Sequence, residues 1–228
     1  MIKVIKNSKF YLLIVVAAII VVIIAGVLIK YKFFPADTQY RLEVNLTPEQ
    51  ITQFESQKAQ DFEQLKLFPK SYNAYIDLGN IERELGNASQ AIKYFKLAWE
   101  AIPTNATPWL NIGNIYIALG DLLKAEEAFL KAKDIRKEYY LTYYNLANLY
   151  QHYYTKKADQ VRGVYLEGLI NTRNDYELLY HFWNYLIDTQ NYSEAIEYLK
   201  VYINNAPDQT SKEDALKKLN EIDQLLNS

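Results

Sequence analysis

The chain has 228 residues, half of them apolar, with 25 basic and 27 acidic side chains and no cysteine. That much apolar material can build a packed core, so disorder is not the default reading; without a thiol there is no disulfide scaffold, thiolate metal site or lipidated cysteine. Five lysines and no acid fall in the first 34 residues, so a net charge of −2 for the whole leaves −7 for the remainder, the wrong sign for holding nucleic acid.

Residues 10–29, FYLLIVVAAIIVVIIAGVLI, begin at Phe10, end at Ile29 and carry no charged side chain. At about 1.5 Å per residue a helix of this length spans the roughly 30 Å hydrocarbon core of a bilayer. The run is longer than a signal-peptide core, and KYKFFPADT after it offers no cleavage site of small residues. The expectation is a cytoplasmic tail at 1–9, an uncleaved signal anchor at 10–31 and a single-pass protein of the cytoplasmic membrane. Lysines on both sides of the span give only a slight orienting bias, but the short amino-terminal tail favours a repeat domain outside the cytoplasm.

Residues 32–71 read as a spacer and a leading helix. Thr47-Pro48-Glu49-Gln50 combines a threonine cap, proline at the first helical position and glutamine in capping-box register, which predicts a helix over 48–65. Ile51, Phe54, Phe62 and Leu65 make its apolar stripe.

An internal repeat follows. Tyr75, Leu78, Gly79, Glu82, Gly86, Ala91, Phe95, Ala98 and Pro103 are matched, each displaced by 34, by Trp109, Ile112, Gly113, Tyr116, Gly120, Ala125, Phe129, Ala132 and Lys137. Tyr143, Leu146, Ala147 and Tyr150 continue the register. Two inserted residues then bring Val161, Tyr165 and Gly168 into line, and Leu179, Phe182, Leu186, Ala195, Leu199 and Pro207 follow without further adjustment. Glycine costs about 1 kcal/mol in a helix interior, so Gly113 calls for a close helix approach, with Trp109, Tyr116 and Phe129 filling the space beside it. In the fourth copy Trp183 takes the small residue's place and Tyr202 replaces a small residue of the second helix.

The pattern of tryptophan or tyrosine, leucine and glycine, tyrosine, then alanine, phenylalanine, alanine and proline over 34 residues resembles the tetratricopeptide repeat family. The resemblance covers residues 72–209 as four copies, 72–105, 106–139, 140–175 and 176–209, and is strongest in the first two. It implies an all-α fold: a helix-turn-helix solenoid wound into a right-handed superhelix behind the single transmembrane helix. Residues 210–228 are expected to cap the array, with Thr210 and Glu213 as a capping box and Leu216, Leu219, Ile222 and Leu226 on one face.

In this family the first helix of each repeat lines a concave groove. The residue after the glycine, or its equivalent, is Asn80, Asn114, Asn148 and Asn184, whose amides can each donate and accept a hydrogen bond. Four residues earlier stand Ile76, Leu110, Tyr144 and Tyr180 on the same helix face, with Ile117 and Ile187 nearby. All of these except Ile187 form the expected peptide-binding set. Where relatives that clamp a terminal carboxylate carry lysine or arginine, these places are apolar or aromatic, so no such clamp is expected. Tyr140, Tyr144, Tyr153 and Tyr154 are further candidates for contact.

No catalytic residues, cofactor or metal are expected: His152 and His181 read as ordinary polar residues, and there is neither a phosphate-cradling glycine loop nor metal-ligand spacing. The expected partner is a protein or peptide, with no small-molecule substrate and no nucleic acid. The sequence therefore reads as a membrane-anchored adaptor, similar in architecture to bacterial inner-membrane proteins that export a repeat domain and aid envelope assembly or translocation. The alternative is a structural spacer or oligomerisation subunit, with Trp183 and Tyr202 contacting another subunit.

Overall fold

The computed structural model describes residues 40–227; the span at 10–29, its tail and the start of the spacer lie outside them. Among the described residues there is no β-strand, and no helix is long and apolar enough to cross a membrane. Helix α1 (Pro48–Leu67) starts as its sequence requires. The Thr47 hydroxyl accepts from the Gln50 amide, and the Thr47 amide donates to the Gln50 side chain. It buries none of its residues completely. Lys58, reaching Glu82 at 3.0 Å, fastens it to the next helix.

Four helix pairs follow: α2 (Tyr72–Glu84) with α3 (Ala88–Ala101), α4 (Thr107–Ala118) with α5 (Leu122–Ile135), α6 (Tyr140–Asn148) with α7 (Val161–Thr172), and α8 (Tyr176–Asp188) with α9 (Tyr192–Asn205). Each helix packs against the next, and α10 (Gln209–Leu226) closes the stack. The small residues do what the repeat asks of them. A Cβ on Gly113 would lie 2.3 Å from Cε1 of Phe129, and one on Gly79 2.6 Å from Cε1 of Phe95, both rings being fully buried. The glycines let the helices of each pair close onto a phenylalanine, and burial of that ring outweighs the propensity cost. At the seam of the first two pairs, Lys131 places its ammonium 4.5 Å from the Trp99 ring centroid and 3.9 Å from that of Trp109.

The two extra residues of the third copy are absorbed locally. Helix α6 widens into one π turn at Leu149–Tyr153, a 3-10 segment at Thr155–Gln160 follows, and α7 then resumes the register. Tyr150 and Lys157 both donate to the carboxylate of Glu126 on α5, tying the extra turn to the preceding pair. In the fourth pair Trp183 and Tyr202 are each 6 % exposed and lie edge to face at 6.3 Å. They are core residues, which removes them as contacts to another subunit. Bulk is exchanged across this pair: tryptophan stands in the glycine register, and the smaller Leu199 in the phenylalanine register.

Three end features differ from expectation. Asp208, rather than Thr210, caps the last helix, accepting from the Ser211 amide at 2.8 Å. The buried face of α10 is Ala215 and Ile222 with half-buried Leu219, while Leu216 and Leu226 are exposed. The stripe of α1 is likewise only partly covered, Ile51 and Phe62 remaining exposed. A terminal helix has a neighbour on one side only, so a stripe wider than that contact stays in water. The last part of the spacer is also bound: residues 40–44 run extended across the ends of the first two pairs, with the Leu42 amide donating to the Gly86 carbonyl at 2.8 Å.

Candidate functional site

The first helices of the pairs, α2, α4, α6 and α8, carry the expected binding residues. Among the described residues the side-chain amides of Asn80, Asn114 and Asn148 make no hydrogen bond, Asn114 being exposed and the other two half-buried. Asn184 differs, since its Nδ2 donates to the Tyr180 carbonyl one turn back at 2.7 Å, leaving mainly its oxygen for a ligand.

Tyr180 is 44 % exposed and stands edge-on to Trp183 at 5.2 Å. Tyr144, half-buried on α6, stacks on His181 of α8 with ring centroids 4.0 Å apart and planes 27° from parallel. The Tyr144, His181 and Tyr180 rings therefore form one aromatic surface across two pairs. Burial lowers the pKa of His181 below its ordinary 6.5, with the negative charge of Glu177 opposing. A neutral imidazole is the ring that stacks at physiological pH.

Leu110 does not belong to this surface. It is 4 % exposed and sits in the core cluster with Tyr143, Leu146 and Phe129. A leucine at this place turns into the interface with the following pair, whereas tyrosine is long enough to reach outward from the same register. Ile76 and Ile117 are half-buried, each packed against one of the two core clusters, and Ile187 is half-buried as well.

Asn80 opens onto a cavity of about 390 Å³ between α1 and α2, lined by Phe54, Gln57, Gln60 and Asp61 of the first helix and Asp77, Ile81 and Glu84 of the second. The pKa of Asp61 is raised from its ordinary 3.8 by burial and by the nearby charge of Asp77. The side chains of α1 and the ring of His181 are the parts of this face that motif spacing misses. For His181 a signal existed, since it adjoins Tyr180 in the register; α1 has no register at all. Of the tyrosines left as contacts, Tyr153 is half exposed on the π turn, while Tyr140 and Tyr154 pack partly on the core. His152 is exposed on the π turn, and no group of three or more metal-ligating side chains occurs among the described residues.

A family model described as tetratricopeptide repeat matches residues 72–105 and 106–139, the first two helix pairs. No curated protein matches the chain at a significant level. Among solved structures, the fold resembles pilF of Pseudomonas aeruginosa, at 18% identity and a TM-score of 0.54, over 77% of this chain and 79% of that one. It also resembles a thermophilic TPR protein of Thermus thermophilus, at 14% identity and a TM-score of 0.52, over 75% of this chain and 91% of that one. Identities this low establish the fold alone. The 34-residue register, the glycine and phenylalanine contacts and the matched segments agree: residues 72–139 carry two tetratricopeptide repeats, and the helix pairs after them continue the same fold.

Proposed function

We propose that this protein is a membrane-anchored adaptor that holds an extended polypeptide segment of a partner in a concave groove lined by α2, α4, α6 and α8. Tetratricopeptide repeats imply a protein–protein interaction scaffold. The observation that carries the finer reading is the aromatic surface of Tyr144, His181 and Tyr180 beside the uncommitted amides of Asn114 and Asn148. Amides bind peptide backbone whatever its sequence, and aromatic faces favour apolar and aromatic side chains. This is binding chemistry, and the chain is read as a scaffold rather than an enzyme.

The uncharged run at residues 10–29 supports anchoring in the cytoplasmic membrane, with the repeats on the extracytoplasmic side and a role in envelope protein assembly or translocation. Photo-crosslinking from a reactive residue in place of Tyr144, in native membranes, tests the groove directly. One or two dominant partners, lost on Asn114→Ala with Asn148→Ala, are the expected result; partner capture undiminished by that double substitution refutes the groove. Extraction of the full chain by alkaline carbonate refutes the anchor.

A further inference from the structure

The end of the spacer is built into the repeats, and its contacts are specific. Besides the Leu42 bond to Gly86, the Tyr40 amide donates to the Ser89 hydroxyl at 2.7 Å and the Ser89 amide to the Tyr40 carbonyl at 3.3 Å. Gly86 has φ +78, and a Cβ there would meet the Leu42 carbonyl oxygen at 2.7 Å, so both its backbone conformation and the strap above it demand glycine. The Tyr40 side chain then reaches the second pair. Its ring stands edge-on to Tyr116 at 6.4 Å, and its hydroxyl accepts from Nζ of Lys124 at 3.1 Å. Lys124 is in turn held by Asp121 at 2.7 Å and lies over both tyrosine rings. Tyr40 and Leu42 pack on the buried cluster that the first two pairs share, around Ile92, Phe95 and Ile112.

These contacts join two equivalent points. Gly86 terminates α2, and the turn at Gly120 and Asp121 terminates α4. The same two helices carry Asn80 and Asn114. In a repeat array each pair touches only its neighbours, so the angle between adjacent pairs is set by their shared interface and by anything that bridges it. A bridge at one end of both helices acts with the longest lever on that angle.

We propose that residues 40–44 form a clasp that fixes the angle between the first and second helix pairs, and with it the separation of Asn80 and Asn114. The clasp itself rests only on the contacts above; its effect on partner capture rests on the groove reading. Release of Tyr40 opens the first half of the groove.

The absence of native cysteine makes the test direct. Spin labels on Glu84→Cys and Ala118→Cys, exposed residues at the ends of α2 and α4, report the angle in the full chain as a distance distribution. The expected result is one narrow peak in the parent, a broader and shifted one with Tyr40→Ala, and a smaller change with Lys124→Gln. A second pair, Asp188→Cys with Glu221→Cys, monitors the folded state of the far end and is expected to stay unchanged. Superimposable Glu84–Ala118 distributions in the parent and Tyr40→Ala overturn the clasp. If Tyr40→Ala disturbs the far pair too, Lys124→Gln decides: no change there overturns the proposal equally. Absence of any Tyr144 crosslink to a partner in the parent protein, while the clasp distances respond as described, refutes the groove and leaves the clasp standing.

Discussion

The same substitution, glycine to alanine, has opposite consequences at two helical positions of this chain. At Gly163, near the start of α7, an added Cβ meets nothing within 4 Å. Relief of backbone entropy alone therefore operates, and Gly163→Ala stabilises by about 0.5–1 kcal/mol. At Gly113 the same entropic gain is available, but the new carbon arrives 2.3, 2.6 and 2.7 Å from three atoms of the Phe129 ring. Contact between carbons is comfortable at about 3.5 Å or beyond, so the ring or the helix has to retreat by about 1 Å in a core with no room. Overpacking of this kind costs about 1–3 kcal/mol, and the depth of the overlap puts Gly113→Ala toward the upper end, a net loss of about 1–2 kcal/mol after the propensity gain. In urea titrations followed by far-ultraviolet circular dichroism, the midpoint of Gly163→Ala rises above that of the parent and the midpoint of Gly113→Ala falls below it, with equal slopes. A Gly113→Ala protein as stable as Gly163→Ala refutes the reasoning, because it means that α4 and α5 are not held against each other through Phe129.

Three further outcomes follow from contacts at the first helix and in the middle of the stack. Lys58→Ala removes the cation facing Glu82, a carboxylate only 4 % exposed, and lowers stability by about 1–3 kcal/mol; Asn87, at 2.8 Å, keeps one hydrogen bond in place. Hydrogen exchange in α1 accelerates in that variant before exchange in α6 or α8 does. Asp61→Asn raises the unfolding midpoint at neutral pH: a carboxyl whose folded pKa lies above its unfolded value is most costly when ionised. That advantage is complete above the raised pKa, shrinks as pH falls through it and is gone below about pH 3.8, so an advantage that grows on acidification refutes the assignment. Tyr150→Phe removes one donor to Glu126 while Lys157 keeps the other, and costs about 1 kcal/mol, read as a lower thermal midpoint.

The periodicity of the sequence was sufficient wherever two residues meet because they occupy the same places in every copy. Gly79 with Phe95 and Gly113 with Phe129 are such pairs, and the two-residue insertion of the third copy is readable because register resumes at Val161. What escapes is contact between segments outside the register. Residues 40–44 reach Gly86, Tyr116 and Lys124 across intervals that no repeat relates, and an extended segment has no helical pattern to announce it. The π turn escapes for a different reason: the spacing calls for two more residues in the connection, while the structure takes them up in a π turn and a 3-10 segment held to Glu126 by contacts that no repeat relates. On the binding face, Asn80, Asn114, Asn148 and Asn184 share one register but not one environment. Leu110 and Tyr144 show the same limit, since equal positions bury a short side chain and leave a long one half-buried.

The three tryptophans of the chain are unevenly distributed. Trp99 and Trp109 share the Lys131 ammonium at the seam of the first two pairs, while Trp183 is enclosed by Tyr180 and Tyr202 in the fourth. A cation against an indole face and a buried indole flanked by two tyrosine rings are different optical environments, so emission reads the two halves of the array separately. A chain in which melting proceeds from one end then shows two spectral transitions where its helix signal shows a single broad one, making its native fluorescence an internal gauge of how far cooperativity extends along the stack.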